Sequence, residues 1–209
     1  MVISKKHKFI FIHIPKNAGT SIQEALKSVK EKREHWVVSQ TTKHQSLQDL
    51  LKIYEDSSWL EKKVKDFDFL NYFKFAVVRN PFERMVSLYN YLNKSKVRNE
   101  ICSVNGFEHF VHLFEDKNSW VSKLHSAKSQ LSYITDLEGK IAADYIGKYE
   151  DLSSFKTDIE ANFDFKLNLK WLNVSNVHKF DYRSYYSNEI QSIIEKEFLE
   201  DLNMFNYNF

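Results

Sequence analysis

The sequence contains little cysteine, which cross-links small proteins through disulfides or metal ions, and little proline or glycine, which interrupt secondary structure. Its 209 residues include one cysteine, two prolines and four glycines. The single cysteine, Cys102, excludes an internal disulfide framework and a zinc site built from several thiolates. Because glycine and proline are scarce, their positions are informative wherever they occur.

The chain also lacks a large excess of charge and a long apolar run. Thirty Lys+Arg stand against 28 Asp+Glu, for a formal net charge of +2, which argues against a protein that coats nucleic acid. No stretch approaches the roughly 20 apolar residues of a membrane span, and the N-terminus lacks the apolar segment and cleavage site of a secretory signal. The sequence therefore predicts a soluble, intracellular protein without a nucleic-acid partner. It leaves the oligomeric state open.

Apolar and aromatic residues are abundant, at 43% and 15% of the chain, which excludes intrinsic disorder. No repeat or linker interrupts the sequence, so we expect one domain over residues 1–209. Short apolar strands alternate with amphipathic helices, which predicts an α/β fold of three layers with a central parallel sheet of about four or five strands flanked by helices. The predicted strands are 8–14, 35–39, 73–78 and 144–149. The predicted helices are 20–30, 46–54 with a charged extension to about 67, 81–94, 107–114, 152–163 and one that begins near 188.

The first predicted strand runs into a segment with the features of an anion-binding loop, Pro-Lys-Asn-Ala-Gly-Thr-Ser at positions 15–21. Backbone N–H groups at a helix N-terminus are unsatisfied and carry a partial positive charge. Gly19 allows a tight turn and close approach of a ligand, Lys16 adds a cation, and Thr20 and Ser21 add hydroxyl donors. A Walker loop would have its lysine directly after the last glycine, whereas Lys16 precedes Gly19. An ATP–magnesium site is therefore disfavoured.

The strand at 73–78 runs into a second motif, Arg79-Asn80-Pro81, in which Asn80 is a plausible helix cap. Ligands of open parallel sheets lie at the carboxyl ends of the strands, so we expect Arg79 at the same edge as the first loop. Arg84, Ser87 and Tyr91 follow at spacings that put them on one helical face, from which they would meet one ligand together. A guanidinium beside a hydroxyl suits a phosphate dianion.

These two motifs resemble those of the carbohydrate sulfotransferases, in particular the bacterial and heparan-sulfate 2-O-type branch. Residues 11–16 with 18–21 are similar to that family's 5′-phosphosulfate loop, and Arg79-Asn80-Pro81 with Arg84, Ser87 and Tyr89 is similar to its 3′-phosphate motif. The likeness continues, in order, through residues 149–152, 173–175, 182–186 and 201–209, and so covers essentially the whole chain.

The resemblance implies a P-loop-like fold and an enzyme that transfers a sulfuryl group from 3′-phosphoadenosine-5′-phosphosulfate (PAPS), without a metal, to a hydroxyl group. The acceptor implied is a carbohydrate, and the likeness to the compact bacterial type implies a cytoplasmic enzyme. Lys16 would hold the oxygen that bridges phosphate and sulfate, and Arg79 and Ser87 would bind the 3′-phosphate. The 5′-phosphate would be surrounded by Asn17, Ala18, Gly19, Thr20 and Ser21. A basic loop with Lys179 and Arg183 is a weaker candidate for closing over the nucleotide.

An acceptor hydroxyl must lose a proton as it attacks sulfur, so a base is required. The resemblance points to His44, and imidazole suits the task because its ordinary form is mostly neutral at pH 7. His13 is a rival, although its alternation with Phe9 and Phe11 is typical of a packed strand position. A glutamate near Glu55 or Glu61 is a third choice, because other branches of the family use one.

Two other functions remain compatible with the motifs. A nucleotide or small-molecule kinase with a degenerate P-loop would require magnesium and ATP. A catalytically silent protein would bind the product nucleotide and transfer nothing, although retention of Lys16, Arg79 and Ser87 weighs against it.

Overall fold

The structure is a computed structural model that describes residues 1–27, 29, 44–55, 69–96, 98–169 and 181–209. The chain forms two compact units. The first consists of Met1–Val78 with Gln130–Val174, and the second of Arg79–Ser129 with Ser175–Phe209.

The first unit contains a four-stranded sheet of described residues, in the order β1-β2-β3-β4. Its strands are β1 (Val2–Ser4), β2 (Phe9–Ile12), β3 (Phe73–Val78) and β4 (Tyr145–Lys148). β2 pairs in parallel with β3, and β3 in parallel with β4. The mostly parallel sheet with flanking helices confirms the predicted α/β class.

β1 departs from the prediction, since it pairs with β2 in the antiparallel direction, from Val2 opposite Phe11 to Ser4 opposite Phe9. The reason is the short connection at positions 5–8, because only antiparallel neighbours can be joined by so few residues. Within that turn Lys8 adopts a left-handed conformation, with φ 51°, and the backbone N–H of His7 donates to Ser4 Oγ at 3.1 Å.

Helices account for much of the rest of the described chain. They are α1 (Gly19–Lys27), α2 (Leu47–Glu55), α3 (Pro81–Ser95), α4 (Gly106–Glu115), α5 (Leu131–Ile134), α6 (Leu152–Asn162), α7 (Asn188–Glu197) and α8 (Leu199–Phe205). The predicted helices are confirmed to within a few residues, and α5 and α8 were not predicted. The predicted strand at 35–39 and the helical extension to 67 lie outside the described residues. Within the described ranges, no helix has both the length and the apolar character needed to cross a bilayer.

The core of the first unit lies where α1 and α6 cover one face of the sheet. Phe9, Phe11 and Phe75 of the strands meet Leu26 of α1 and Phe155 of α6, all of them buried. Contact is so close that a Cβ on Gly147 of β4 would lie 2.6 Å from the ring of Phe155. This packing fixes the carboxyl end of β2, from which the first motif leaves the sheet.

The second unit has a helical core. Phe82 and Met85 of α3, Phe110 of α4, Ile194 of α7 and Leu202 of α8 are members of one buried cluster. Aromatic packing is extensive there: the rings of Phe114 and Phe198 stack at 5.3 Å, with their planes 5° apart. α3 is therefore packed into this helical core, and its first turn carries the second motif.

Candidate active site

The loop after β2 has an alternating backbone conformation. Lys16 and Ala18 are left-handed, with φ 70° and φ 60°, whereas Asn17 between them is not. A left-handed conformation costs a residue other than glycine about 1–2 kcal/mol, so two such residues in one loop represent stored strain. Alternating hands turn successive N–H groups to one side and form a concave nest for an anion. The loop then passes into α1, where the N–H of Ile22 donates to Ala18 O at 3.1 Å.

Gly19 is required for a different reason from the one predicted. Its φ is not in the left-handed region, so Lys16 and Ala18 make the turn. A Cβ at Gly19 would lie 1.9 Å from Cδ2 and 2.1 Å from Nε2 of His13. The prediction of a tight turn at Gly19 is thus wrong, because Lys16 and Ala18 hold the left-handed conformations. Glycine is needed at position 19 because the imidazole of His13 leaves no room there for a side chain.

Asn17 fastens the loop to the neighbouring strand. Its Nδ2 group donates to Val77 O of β3 at 2.8 Å and to Gln130 Oε1 at 2.7 Å, and the side chain is buried. The loop after β2 and the carboxyl end of β3 therefore meet at one edge of the sheet, as parallel strands require. The side-chain amide of Asn17 points inward, so its contribution to ligand binding is left to the backbone.

Thr20 and Ser21, at the start of α1, are exposed and half-buried respectively. Lys16 is half-buried. The loop thus presents a cation, two hydroxyls and the N-terminus of α1 from one short segment. This combination of groups binds phosphate and sulfate esters well.

His44 lies beside this loop, in contact with His13. The two imidazole centroids are 4.6 Å apart, with the rings edge to face at 77°. His13 is 3% exposed and His44 is half-buried. The expected packing of His13 is confirmed by its burial, although β2 ends one residue before it, at Ile12. Of the glutamates considered as alternatives, Glu61 lies outside the described residues, and so does the side chain of Glu55.

A reciprocal cap holds the segment that carries His44. Ser46 Oγ accepts from the N–H of Asp49 at 3.1 Å, and Asp49 Oδ2 accepts from the N–H of Ser46 at 2.9 Å. This is the arrangement of a capping box, which fixes the path of the chain into α2. Gln48 then donates to Thr135 Oγ1 and Asp136 O, at 3.2 and 2.8 Å. His44 therefore stands two residues before an anchored helix N-terminus.

The second motif lies in the second unit, at the start of α3. Asn80 caps the helix, its Oδ1 accepting from the N–H of Phe82 at 3.1 Å, and Pro81 is the first helical residue. Asn80 Nδ2 also donates to Tyr182 Oη at 3.3 Å and to Asn208 O at 2.8 Å. The helix start predicted from Asn80-Pro81 is confirmed, and the last residues of the chain are bound to it.

Arg79 is 8% exposed, and its guanidinium donates to Glu83 Oε1 at 2.7 Å. Because Glu83 is four residues along the chain, the pair closes over the first turn of α3 and orients the guanidinium. Ser87, two turns into α3, is half-buried.

Arg84 has a structural role instead of the predicted ligand-facing one. It is fully buried and donates to Ser126 O at 3.0 Å and to Lys128 O at 2.9 Å. Tyr91 differs again, at 47% exposed. The expectation that Arg84, Ser87 and Tyr91 face one ligand together is therefore wrong, because helical spacing does not tell which neighbour covers each side chain.

The tyrosines at 182, 185 and 186 are half-buried and pack against the core of the second unit. Tyr186 Oη donates to Phe82 O at 2.9 Å, and burial, reinforced by Tyr182, raises the pKa of Tyr186. Arg183 is exposed and lies over the ring of Tyr182, with Cζ 4.8 Å from the centroid. Lys179, its predicted companion, lies outside the described residues.

Two hydrogen-bond partners of the candidate site residues were not found from sequence. Gln130 gives no local signal, since it is 113 positions from Asn17. Glu83 does give one, because it is four residues from Arg79 on a predicted helix. In the part of the chain that the structure describes, no three His, Cys, Asp or Glu side chains are grouped closely enough to hold a metal ion.

Comparison with known proteins agrees with these features. A sequence model described as the sulfotransferase family matches residues 1–208. No curated protein and no solved structure matched the chain. The match extends over both motifs and both compact units. The loop of residues 15–21 after β2 and the capped arginine motif after β3 thus occur in a chain that belongs to the sulfotransferase family, whose enzymes depend on PAPS as sulfuryl donor.

Proposed function

We propose that this enzyme transfers the sulfuryl group of PAPS to a hydroxyl of a carbohydrate, in the manner of the heparan-sulfate 2-O-type and bacterial sulfotransferases. The observation that carries the proposal is the alternating backbone at Lys16, Asn17 and Ala18, directly ahead of α1. Strain of this kind persists in loops whose shape serves binding.

The 5′-phosphosulfate end of the donor binds to this loop. N–H groups of residues 17–21 surround the phosphate, and the hydroxyls of Thr20 and Ser21 add donors. The N-terminus of α1 favours the negative charge. Lys16 contacts the oxygen that bridges phosphorus and sulfur. A mobile ammonium suits this position, since it follows the charge that develops there.

The 3′-phosphate of the donor binds Arg79 and Ser87 of the second unit. Arg79 is oriented by Glu83, with their atoms 2.7 Å apart, so the guanidinium loses little freedom when it meets an anion. This phosphate distinguishes PAPS from ATP and other common nucleotides. Recognition through Arg79 therefore selects the donor.

The chemical step needs a base and a stabilised leaving group. His44 takes the proton of the acceptor hydroxyl as its oxygen forms a bond to sulfur. The bond between sulfur and the bridging oxygen breaks, and the electron pair stays on the 5′-phosphate, where Lys16 stabilises it. The products are the sulfate ester, 3′-phosphoadenosine 5′-phosphate and protonated His44. No metal takes part in this scheme.

A carbohydrate acceptor is supported by the likeness of the motifs to the carbohydrate branch and by exposed cations near the end of α3. Lys94, Lys96 and Arg98 are all exposed, and Arg98 is 3.9 Å from Glu100. Such a group favours an anionic saccharide over a neutral phenol.

The test is an incubation with labelled PAPS, EDTA and matched panels of acidic oligosaccharides, neutral oligosaccharides and phenols, with products detected by mass. We expect sulfated acidic oligosaccharide with EDTA present. Transfer to phenols alone would refute the carbohydrate acceptor. Phosphate transfer from ATP that requires magnesium would identify a kinase, and product-nucleotide binding without any transfer would identify a silent protein.

A further inference from the structure

His13 lies between two parts of the proposed site in the first unit, the loop of residues 15–21 and His44. It follows β2 on the same face as Phe9 and Phe11, and its ring stacks on Phe11 at 6.1 Å with the planes 21° apart. Buried to 3% exposure, the imidazole is held by the strand below it. The ring is therefore held in place and limits the positions of the residues that pack against its other sides.

One of those sides is the donor loop, residues 15–21, to which the proposed function assigns the 5′-phosphosulfate of PAPS. The backbone of Gly19 approaches so closely that a Cβ there would overlap Cδ2, Nε2 and Cγ of His13, at 1.9, 2.1 and 2.8 Å. The first residue of α1 thus rests on the imidazole. Because α1 and the loop before it share this backbone, the ring limits where the N–H groups of the loop can lie.

Another side is His44. The two rings meet edge to face at 4.6 Å, a favourable arrangement that also restricts rotation of the more exposed ring. The capping box of Ser46 and Asp49 holds the backbone that follows. With the backbone anchored and one ring face covered, the His44 side chain has few orientations left.

We propose that His13 is a positioning residue that sets the acceptor base against the donor loop. It contacts His44 and Gly19 at once, so it fixes the distance between the group that removes the proton and the loop that binds the phosphosulfate. His13 itself does not touch the reacting atoms. This inference rests on the proposed roles of His44 and the loop.

The arrangement suggests a test with compensating substitutions. The substitution His13→Ala removes the ring that contacts both Gly19 and His44. In His13→Ala/Gly19→Ala a methyl group at position 19 fills part of the vacated space, which restores support to the loop and gives none to His44. Gly19→Ala alone forces a methyl group into the imidazole. His109→Ala is the control, since His109 is an exposed histidine of α4.

Calorimetry with 3′-phosphoadenosine 5′-phosphate reports on the loop. We expect Gly19→Ala to bind at least about tenfold more weakly than wild type, and the double variant to recover to within about threefold, as contacting residues do when they couple. Wild-type binding by Gly19→Ala, or a double variant no better than it, would overturn the contact between His13 and the loop. Neither result depends on sulfate transfer.

Steady-state kinetics report on the base. We expect His13→Ala and the double variant to lose about 10–100-fold in kcat, the size of effect that a small misplacement of a catalytic group produces, with little change in KM for PAPS in the double variant. Recovery of kcat together with nucleotide affinity in the double variant would overturn the positioning of His44. His13→Asn, a polar residue without the ring, keeps this test available if the alanine variants fold poorly, and the same loss is expected from it.

The imidazole NMR signals of His44 separate failure of this inference from failure of the proposed function. Removal of the neighbouring ring should shift the His44 ring resonances in His13→Ala and leave them in place in His109→Ala. Unshifted resonances would refute the contact whatever the activity. An inactive wild-type enzyme with shifted resonances would refute the role of His44 as base, and with it the catalytic part of the inference.

Discussion

Asn17 and Gln130 share a buried hydrogen bond of 2.7 Å across 113 positions of sequence. The same amide group donates to Val77 O of β3 at 2.8 Å. The shape of the donor loop therefore depends on a residue of the strand beside it and on one that precedes α5. The side chain of Asn17 thereby holds the strained backbone at Lys16 and Ala18 against the sheet.

Asn17→Ala should lower both stability and nucleotide affinity. The substitution leaves two buried acceptors without this donor, which costs about 1–3 kcal/mol for each acceptor left unsatisfied. We expect the free energy of unfolding in urea to fall by about 2 kcal/mol, and product-nucleotide affinity to fall about tenfold because the loop is no longer held. Asn162→Ala is the control, since Asn162 bonds Asp158 O at the exposed end of α6. Equal stability and affinity in Asn17→Ala and wild type would contradict this account of the loop.

Arg84→Met should destabilise the second unit without changing the nucleotide site. The substitution removes two hydrogen bonds from a fully buried guanidinium to Ser126 O and Lys128 O, so we expect a loss of about 3 kcal/mol or more. Nucleotide affinity of the folded protein should stay within about twofold of wild type. A weaker affinity at unchanged stability would show that Arg84 contacts the ligand after all.

Arg79→Ala should weaken binding only of nucleotides that carry a 3′-phosphate. Loss of a charge-assisted contact corresponds to about a 10–100-fold loss of affinity for 3′-phosphoadenosine 5′-phosphate. Arg79→Lys should fall between, because an ammonium cannot bind in a bidentate manner. Adenosine 5′-phosphate is the matched ligand, and its affinity should not change.

Arg98→Ala, which removes an exposed arginine of the same unit, should bind both nucleotides as wild type does. If Arg79→Ala weakened both nucleotides equally, Arg79 would not be the 3′-phosphate contact.

Asp151→Ala should destabilise α6 in a pH-dependent way. Asp151 Oδ1 caps this helix by accepting from the N–H of Ser154 at 3.0 Å, and it also accepts from Ser153 Oγ. Hydrogen bonds from the backbone N–H of Ser154, and then from the side chains of Ser153 and Ser154, lower the pKa of Asp151 below its ordinary value. A carboxylate with a lowered pKa stabilises the fold above its unfolded pKa, and this contribution is lost as the pH falls through the folded value.

Thermal unfolding from pH 7 to pH 3 measures this effect. The difference in melting temperature between wild type and Asp151→Ala should shrink toward the acid end. Asp151→Asn keeps a cap oxygen without the charge, so it should lie between the two at pH 7. A difference independent of pH would show that the carboxylate charge contributes nothing.

Local signals made several elements predictable. β3 was predicted at its observed bounds because it is a short run that is apolar except for Lys74, and α3 because Asn80-Pro81 is a strong helix start. β1 was not predicted, since three residues are too few to show a periodicity. α8 follows α7 after a single residue, Phe198, so no turn signal separates the two helices.

The site was predictable in its residue types and less so in its contacts. Lys16, Arg79 and Ser87 were predicted as site residues because each belongs to a short motif whose members are close together in the sequence. The bond from Asn17 to Gln130, the burial of Arg84 and the contact of His13 with Gly19 arise from packing between distant segments. Gly19 shows the difference well: its presence was noted from sequence, but its reason lies in a ring six residues earlier that folds back against it.

The central claim is tested most directly by initial rates of sulfate transfer from labelled PAPS to an acidic oligosaccharide, measured in EDTA for wild type, Lys16→Ala, His44→Ala and His109→Ala. We expect wild type and His109→Ala to transfer sulfate at equal rates. Lys16→Ala and His44→Ala should lose about 100-fold or more, as enzymes deprived of a leaving-group cation or a general base do. Transfer by Lys16→Ala at the wild-type rate, or none by wild type to any hydroxyl acceptor, would contradict the account.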